Sequence, residues 1–121
     1  MTPILLCDDD PEIRAALRRA LRAYAVTEAS SPAEAIELLR AHTFVAVISD
    51  FQLEAEADGL DLLQHVRVQY PDMIRFLVTA NRDLSVVIRA VNEGAVHRYF
   101  AKPWDEGKLL AALELMVAAK L

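Results

Sequence analysis

The 121-residue sequence holds one cysteine, Cys7, so no disulfide can form within the chain. A lone thiol suits a reducing compartment. No apolar run approaches the ~20 residues that a membrane-spanning helix needs. The opening "MTPILL" lacks both the basic n-region and the apolar length of a secretory signal. Basic runs are missing as well. With 13 Lys and Arg against 18 Asp and Glu the formal net charge is −5, which disfavours direct nucleic-acid binding. There is no linker-like stretch, no low-complexity tract and no repeated sequence motif. Disorder is disfavoured by composition, 55% hydrophobic against 26% charged. The expectation is one soluble, cytoplasmic domain over residues 1–121, long enough to bury a real core.

What is present alternates between two kinds of segment. Short apolar runs, "ILLC" (4–7), "AVTEA" (25–29), "VAVIS" (45–49), "RFLVT" (75–79) and "RYFA" (98–101), read as strands. Helical spacing separates them. Ile13, Leu17, Ala20, Leu21 and Tyr24 recur at three and four; so do Ala35, Ile36, Leu38 and Leu39. Leu62, Leu63 and Val66 follow, then Val87, Ala90 and Val91, and last Leu109, Leu110, Leu113, Met116 and Val117. Ser31-Pro32-Ala33-Glu34 carries a cap, a proline at the first helical position and a glutamate to close a capping box. Asp10 before Pro11 and Asp105 are further caps, and Gly94 is placed to end the fourth helix. Strands alternating with helices predict an α/β fold, a parallel sheet covered on both faces by right-handed crossovers.

In such sheets ligands bind beyond the carboxyl ends of the strands. Asp8, Asp9 and Asp10 follow the first run, Asp50 follows the third, the fourth ends on Thr79, and Lys102-Pro103 follows the fifth. Converging carboxylates repel unless a cation intervenes. A hard divalent ion such as Mg²⁺ accepts a few carboxylates, waters and a phosphate oxygen. Asp10 is explained by capping alone. Asp50 is either a turn aspartate or a nucleophile, since carboxylates form aspartyl phosphates. Thr79 and Lys102 taken singly are an ordinary strand end and a surface lysine. With the acids they supply donors for the oxygens of a transferred phosphoryl group. The Lys102–Pro103 bond is a candidate for the cis form.

The set "LLCDDDP", "VISDFQL", "ADGLDLL", "LVTANRD" and "RYFAKPW", in that order across the chain, resembles the receiver domain of bacterial two-component response regulators. The resemblance implies a flavodoxin-like (βα)5 fold, doubly wound, with a five-stranded parallel sheet of order 2-1-3-4-5. It implies that Asp50 is the phosphoacceptor and that Asp8, Asp9 and Asp50 with the backbone carbonyl of Gln52 hold Mg²⁺. Lys102 is then the phosphate-binding lysine, Thr79 the switch hydroxyl and Tyr99 the aromatic switch residue. The implied partner is a sensor histidine kinase or phosphotransfer protein, with no direct nucleic-acid and no membrane contact. The output face is formed by the fourth helix, fifth strand and fifth helix. It leaves room for a homodimer, and a longer chain for a C-terminal effector domain.

One segment departs from the family pattern. "DFQLEAEADG" lacks the usual Met-Pro and carries Glu54, Glu56 and Asp58. Extra acid near the Gln52 carbonyl would either strengthen cation binding or discourage a phosphoryl dianion, and the sequence does not decide between the two. Trp104 stands where an apolar residue is common, as in some receivers of multidomain regulators, or serves local packing. Two other readings stay open at this level. A metal-dependent phosphatase with an aspartyl-phosphate intermediate would need an acid two residues after the nucleophile, and position 52 is glutamine. A receiver-like module that binds proteins without phosphorylation would share the fold. The expectation is a non-enzymatic phosphorylation switch.

Overall fold

The computed structural model describes residues 1–50, 59–80, 84–93 and 95–120. Among the described residues five strands and five helices alternate: β1 (Pro3–Cys7), α1 (Pro11–Ala20), β2 (Ala25–Ala29), α2 (Pro32–Ala41), β3 (Ala46–Ser49), α3 (Gly59–Gln69), β4 (Ile74–Thr79), α4 (Leu84–Asn92), β5 (Arg98–Ala101) and α5 (Glu106–Ala118). The strands are all parallel in the order β2-β1-β3-β4-β5, the doubly wound flavodoxin-like sheet.

Strand alternation builds two cores from one sheet. Leu5, Cys7, Val47 and Leu77 face α2, α3 and α4, where they meet Ala35, Leu39, Leu60, Leu63, Val66 and Ala90. Ile4, Leu6, Ala46, Ile48, Phe76 and Val78 face α1 and α5, packing on Leu17, Leu109 and Leu113. The central strands β1, β3 and β4 are therefore apolar on both sides, as a sheet covered on both faces requires.

The helix starts follow local chemistry. The Asp10 carboxylate accepts the Glu12 N–H at 2.9 Å, the Ser31 hydroxyl accepts the Glu34 N–H at 3.2 Å, and the Asp105 carboxylate accepts the Lys108 N–H at 3.1 Å. Each satisfies an orphan donor of a first turn. The capping box differs by one residue from expectation, because Glu34 reaches back to the N–H of Ser30 at 3.3 Å. Tyr24, expected on α1, lies beyond its end, and Val91 stands 50% exposed on α4 instead of facing the core. Gly94 lies outside the described residues. No described helix is long and apolar enough to cross a membrane.

Candidate functional site

Two ladders run one residue beyond their strands. The Asp8 N–H donates to the Ala29 carbonyl at 3.2 Å, and the Asp50 N–H donates to the Cys7 carbonyl at 3.0 Å. Asp8 and Asp50 thus leave neighbouring strands side by side. β1 is followed by α1 on one face of the sheet and β3 by α3 on the other, the arrangement that opens a crevice at the strand ends.

Asp8 is 2% exposed and Asp50 8%, while Asp9 faces solvent. Oxygens of the Asp8, Asp9 and Asp50 carboxylates lie within 4.8 Å of one another. Lys102 answers this charge. Its ammonium donates to Asp8 Oδ2 at 2.8 Å and to Asp50 Oδ2 at 3.0 Å. The Asp10 N–H donates to the other oxygen of Asp8 at 2.9 Å. Lys102 is carried there by β5: its own N–H donates to the Thr79 carbonyl at 3.0 Å, and the Lys102–Pro103 bond is cis, as expected.

One ammonium shared between two acids leaves the two sides unequal. Burial raises the pKa of Asp8 and outweighs the donors Lys102 and Asp10 that oppose it. Burial also works against the charge of Lys102, but Asp8 and Asp50 together outweigh it and hold its pKa above the ordinary lysine value. Cys7, just behind, is pushed up to about 12 by burial and then by neighbouring Asp8 and Glu34, so it stays a small apolar thiol at neutral pH.

The donor set suits a hard cation. It is all oxygen, with at least two carboxylates held by the sheet and a third at the mouth. The Gln52 carbonyl and the acids Glu54, Glu56 and Asp58 lie outside the described residues. Thr79 is 1% exposed at the end of β4, opposite Ala101. Tyr99 pairs with Leu77, two rungs earlier, on the α3–α4 face, and packs half-buried against that core. By strand alternation Thr79 and Tyr99 share this face, set diagonally across β4 and β5. Trp104 packs partly buried against the α1–α5 core and, with Ile13, Lys102 and Pro103, lines a cleft of about 450 Å³ beside the acids. A larger cleft of about 580 Å³ at the amino ends of β3 and β4, with Phe44, Tyr70 and Lys120 on its wall, contains none of the candidate residues.

Arg14 was not among the sequence candidates, yet its guanidinium donates to the Asp8 carbonyl at 2.6 Å. Its helical position one turn after the Asp10 cap was the available signal. His42, His65 and His97 lie outside the acid cluster; His42 caps the end of α2, and His65 lies on α3.

A family model for the response regulator receiver domain matches residues 4–114. Among curated proteins, the alginate biosynthesis transcriptional regulatory protein AlgB of Pseudomonas aeruginosa is 38% identical over 118 residues, which cover 94% of this chain and 26% of that one. The DNA-binding transcriptional regulator NtrC of Escherichia coli K12 is 31% identical over 117 residues, 95% of this chain and 24% of that one. The chain therefore spans about a quarter of the length of these relatives. Among solved structures, the signal receiver domain of an HD domain-containing protein from Pseudomonas fluorescens Pf-5 superposes with a TM-score of 0.91 at 35% identity, covering 98% of this chain and 95% of that one. With the sheet order, the acid edge and a family match over nearly its whole length in agreement, the chain belongs to the response regulator receiver domains of two-component signalling.

Proposed function

We propose that residues 1–121 work as one receiver domain in which Asp50 accepts a phosphoryl group from a phosphohistidine of a sensor histidine kinase or phosphotransfer protein. The observation that carries this reading is the single ammonium of Lys102 bridging Asp8 and Asp50 beside Asp9. An Asp50 carboxylate oxygen attacks phosphorus, a P–O bond forms, the P–N bond breaks, and the donor histidine leaves with its electron pair. Asp8, Asp9 and Asp50, with the Gln52 carbonyl, would hold Mg²⁺. That ion, when bound, neutralises the acids and polarises the phosphoryl group. Lys102 exchanges its Asp50 contact for a phosphoryl oxygen, and the Thr79 hydroxyl donates to another. Movement of Thr79 frees space on the face it shares with Tyr99, which turns inward.

The output surface is then α4-β5-α5. Ile88 and Val91 on α4 and Leu115 on α5 are exposed at 55%, 50% and 72%, an apolar content suited to a partner, an effector domain or a second copy. Moving a two-state switch from 1:99 to 99:1 requires about 5.5 kcal/mol of differential stabilisation. A dianion contacting a cation, an amine and a hydroxyl supplies energy of that order.

Intact mass after incubation with acetyl phosphate and Mg²⁺ tests the assignment. The wild-type chain is expected to gain one phosphoryl group and Asp50→Asn none. A wild-type chain that stays unmodified under every donor would instead be a binding module that works without phosphorylation. Sustained turnover of unrelated phosphate esters would mark an enzyme.

A further inference from the structure

Asp8 sits where β1 leaves the sheet, so its carbonyl is beyond the regular ladder. Arg14, on the first turn and a half of α1, fills that place with a 2.6 Å bond from Nη1. The same guanidinium is held from behind, Nε donating to Glu28 of β2 at 3.2 Å. Arg14 and Glu28 are largely withdrawn from solvent, 18% and 29% exposed. Arg18 also donates to Glu28, at 2.7 Å, but its second bond goes to the Val26 carbonyl and it is 50% exposed. One arginine of the pair thus faces the acid edge and the other does not.

The carbonyl of Asp8 belongs to the same planar peptide as the N–H of Asp9. Fixing that carbonyl fixes the plane from which Asp9 projects, and the carboxylate of Asp9 is the exposed member of the acid cluster. We propose that Arg14, braced by Glu28, is a positioning residue that sets the Asp8–Asp9 peptide and so prepares the acid cluster for a divalent cation. This rests on the cation-binding reading above. Residues that orient metal ligands at one remove commonly change affinity by about tenfold or more when lost. Arginine suits the task because its fork serves two acceptors at fixed angles.

Titration of the whole chain with Mg²⁺, followed by Trp104 fluorescence beside Lys102, is the test, with acetyl phosphate uptake as a second readout. Arg14→Met keeps the apolar stem and removes both donors. It is expected to raise the half-saturating Mg²⁺ concentration about tenfold, while the phosphorylation rate at saturating Mg²⁺ changes little. Arg14→Lys restores one donor and is expected to recover part of the shift. Glu28→Gln is expected to give a smaller shift in the same direction. Arg18→Ala removes an ion pair with the same glutamate and is expected to titrate like wild type, which separates positioning from general stability. A wild-type titration from Arg14→Met, or an equal shift from Arg18→Ala, overturns the inference alone. A wild-type chain that neither responds to Mg²⁺ nor takes up a phosphoryl group overturns the cation-binding reading together with it.

Discussion

Each edge of the sheet buries a cation, and the two are satisfied in opposite ways. At the carboxyl edge Lys102 lies between two carboxylates, Asp8 and Asp50. At the amino edge Arg75, 6% exposed as the second residue of a mostly apolar strand, donates to carbonyls: Ala95 at 3.0 Å, Pro71 at 3.2 Å and Met73 at 3.0 Å. Carbonyl dipoles are fixed by the backbone, and their charge does not change. Arg75 therefore ties the loops before β4 and β5 together through acceptors that do not change charge. Carboxylates can exchange their partner for a metal ion, or gain a phosphoryl group. In the proposed function the edge built of ions is the one that switches, and the edge built of dipoles is the frame it switches against.

The sharpest way to break this contrast is to remove each cation in turn. Lys102→Met leaves two mostly buried carboxylates facing one another, a loss of about 3 kcal/mol in Mg²⁺-free buffer. Urea denaturation should show that loss, and millimolar Mg²⁺ should recover more stability for this variant than for wild type, because a bound cation replaces the missing charge. Arg75→Met leaves three carbonyls short of a donor and should cost about 2 kcal/mol. Here Mg²⁺ should add only what it adds to wild type. If Mg²⁺ rescued both variants equally, the edges would not differ in the way described.

Much of this arrangement can be read in the sequence, and the unreadable part has a common cause. Five apolar runs, three of them followed by a helix cap, specify the alternation of strand and helix, and residues just past the runs specify the acid edge. Local chemistry suffices for both. The periodicity of α4 groups Val91 with Ala90, but periodicity alone cannot say how wide the buried stripe is, and Val91 falls outside it. Contacts between distant segments are invisible in the same way. The Lys102–Asp8 bond spans 94 residues, so sequence position brings the lysine to the right edge without showing that it bridges two acids. Arg14 with Glu28 and Arg75 with His97 are pairs of this kind. Arg75 does leave a trace, a charged residue within the fully buried run "IRFLVT".

The smallest expected effect tests the same contrast by pH. The Arg75 N–H donates to His97 Nδ1 at 3.0 Å, and only a neutral ring offers that lone pair. Burial, then the charges of Arg75 and Lys120, hold the pKa of His97 below its ordinary value. Lys120 reaches this corner from the end of α5, where its ammonium meets the Asp72 carbonyl. The unfolded chain therefore takes up the proton first as pH falls below about 6.5, and stability at the amino edge is lost through that window. Asp8 behaves oppositely. Its raised pKa means that the folded state takes up the proton first, so in Mg²⁺-free buffer lowering the pH toward its ordinary range adds stability at the carboxyl edge. Urea midpoints from pH 7.5 to 4.5 should separate the two. His97→Asn offers an acceptor that does not titrate and should lie flatter than wild type between pH 7 and 5.5. Asp8→Asn should lose the low-pH gain and leave the histidine step in place. The histidine step is small, because His97 is only partly withdrawn from solvent, which screens it. Slopes of the same sign from both edges would mean that the acid pair, like the arginine, is frozen by its surroundings and is not poised to change partners.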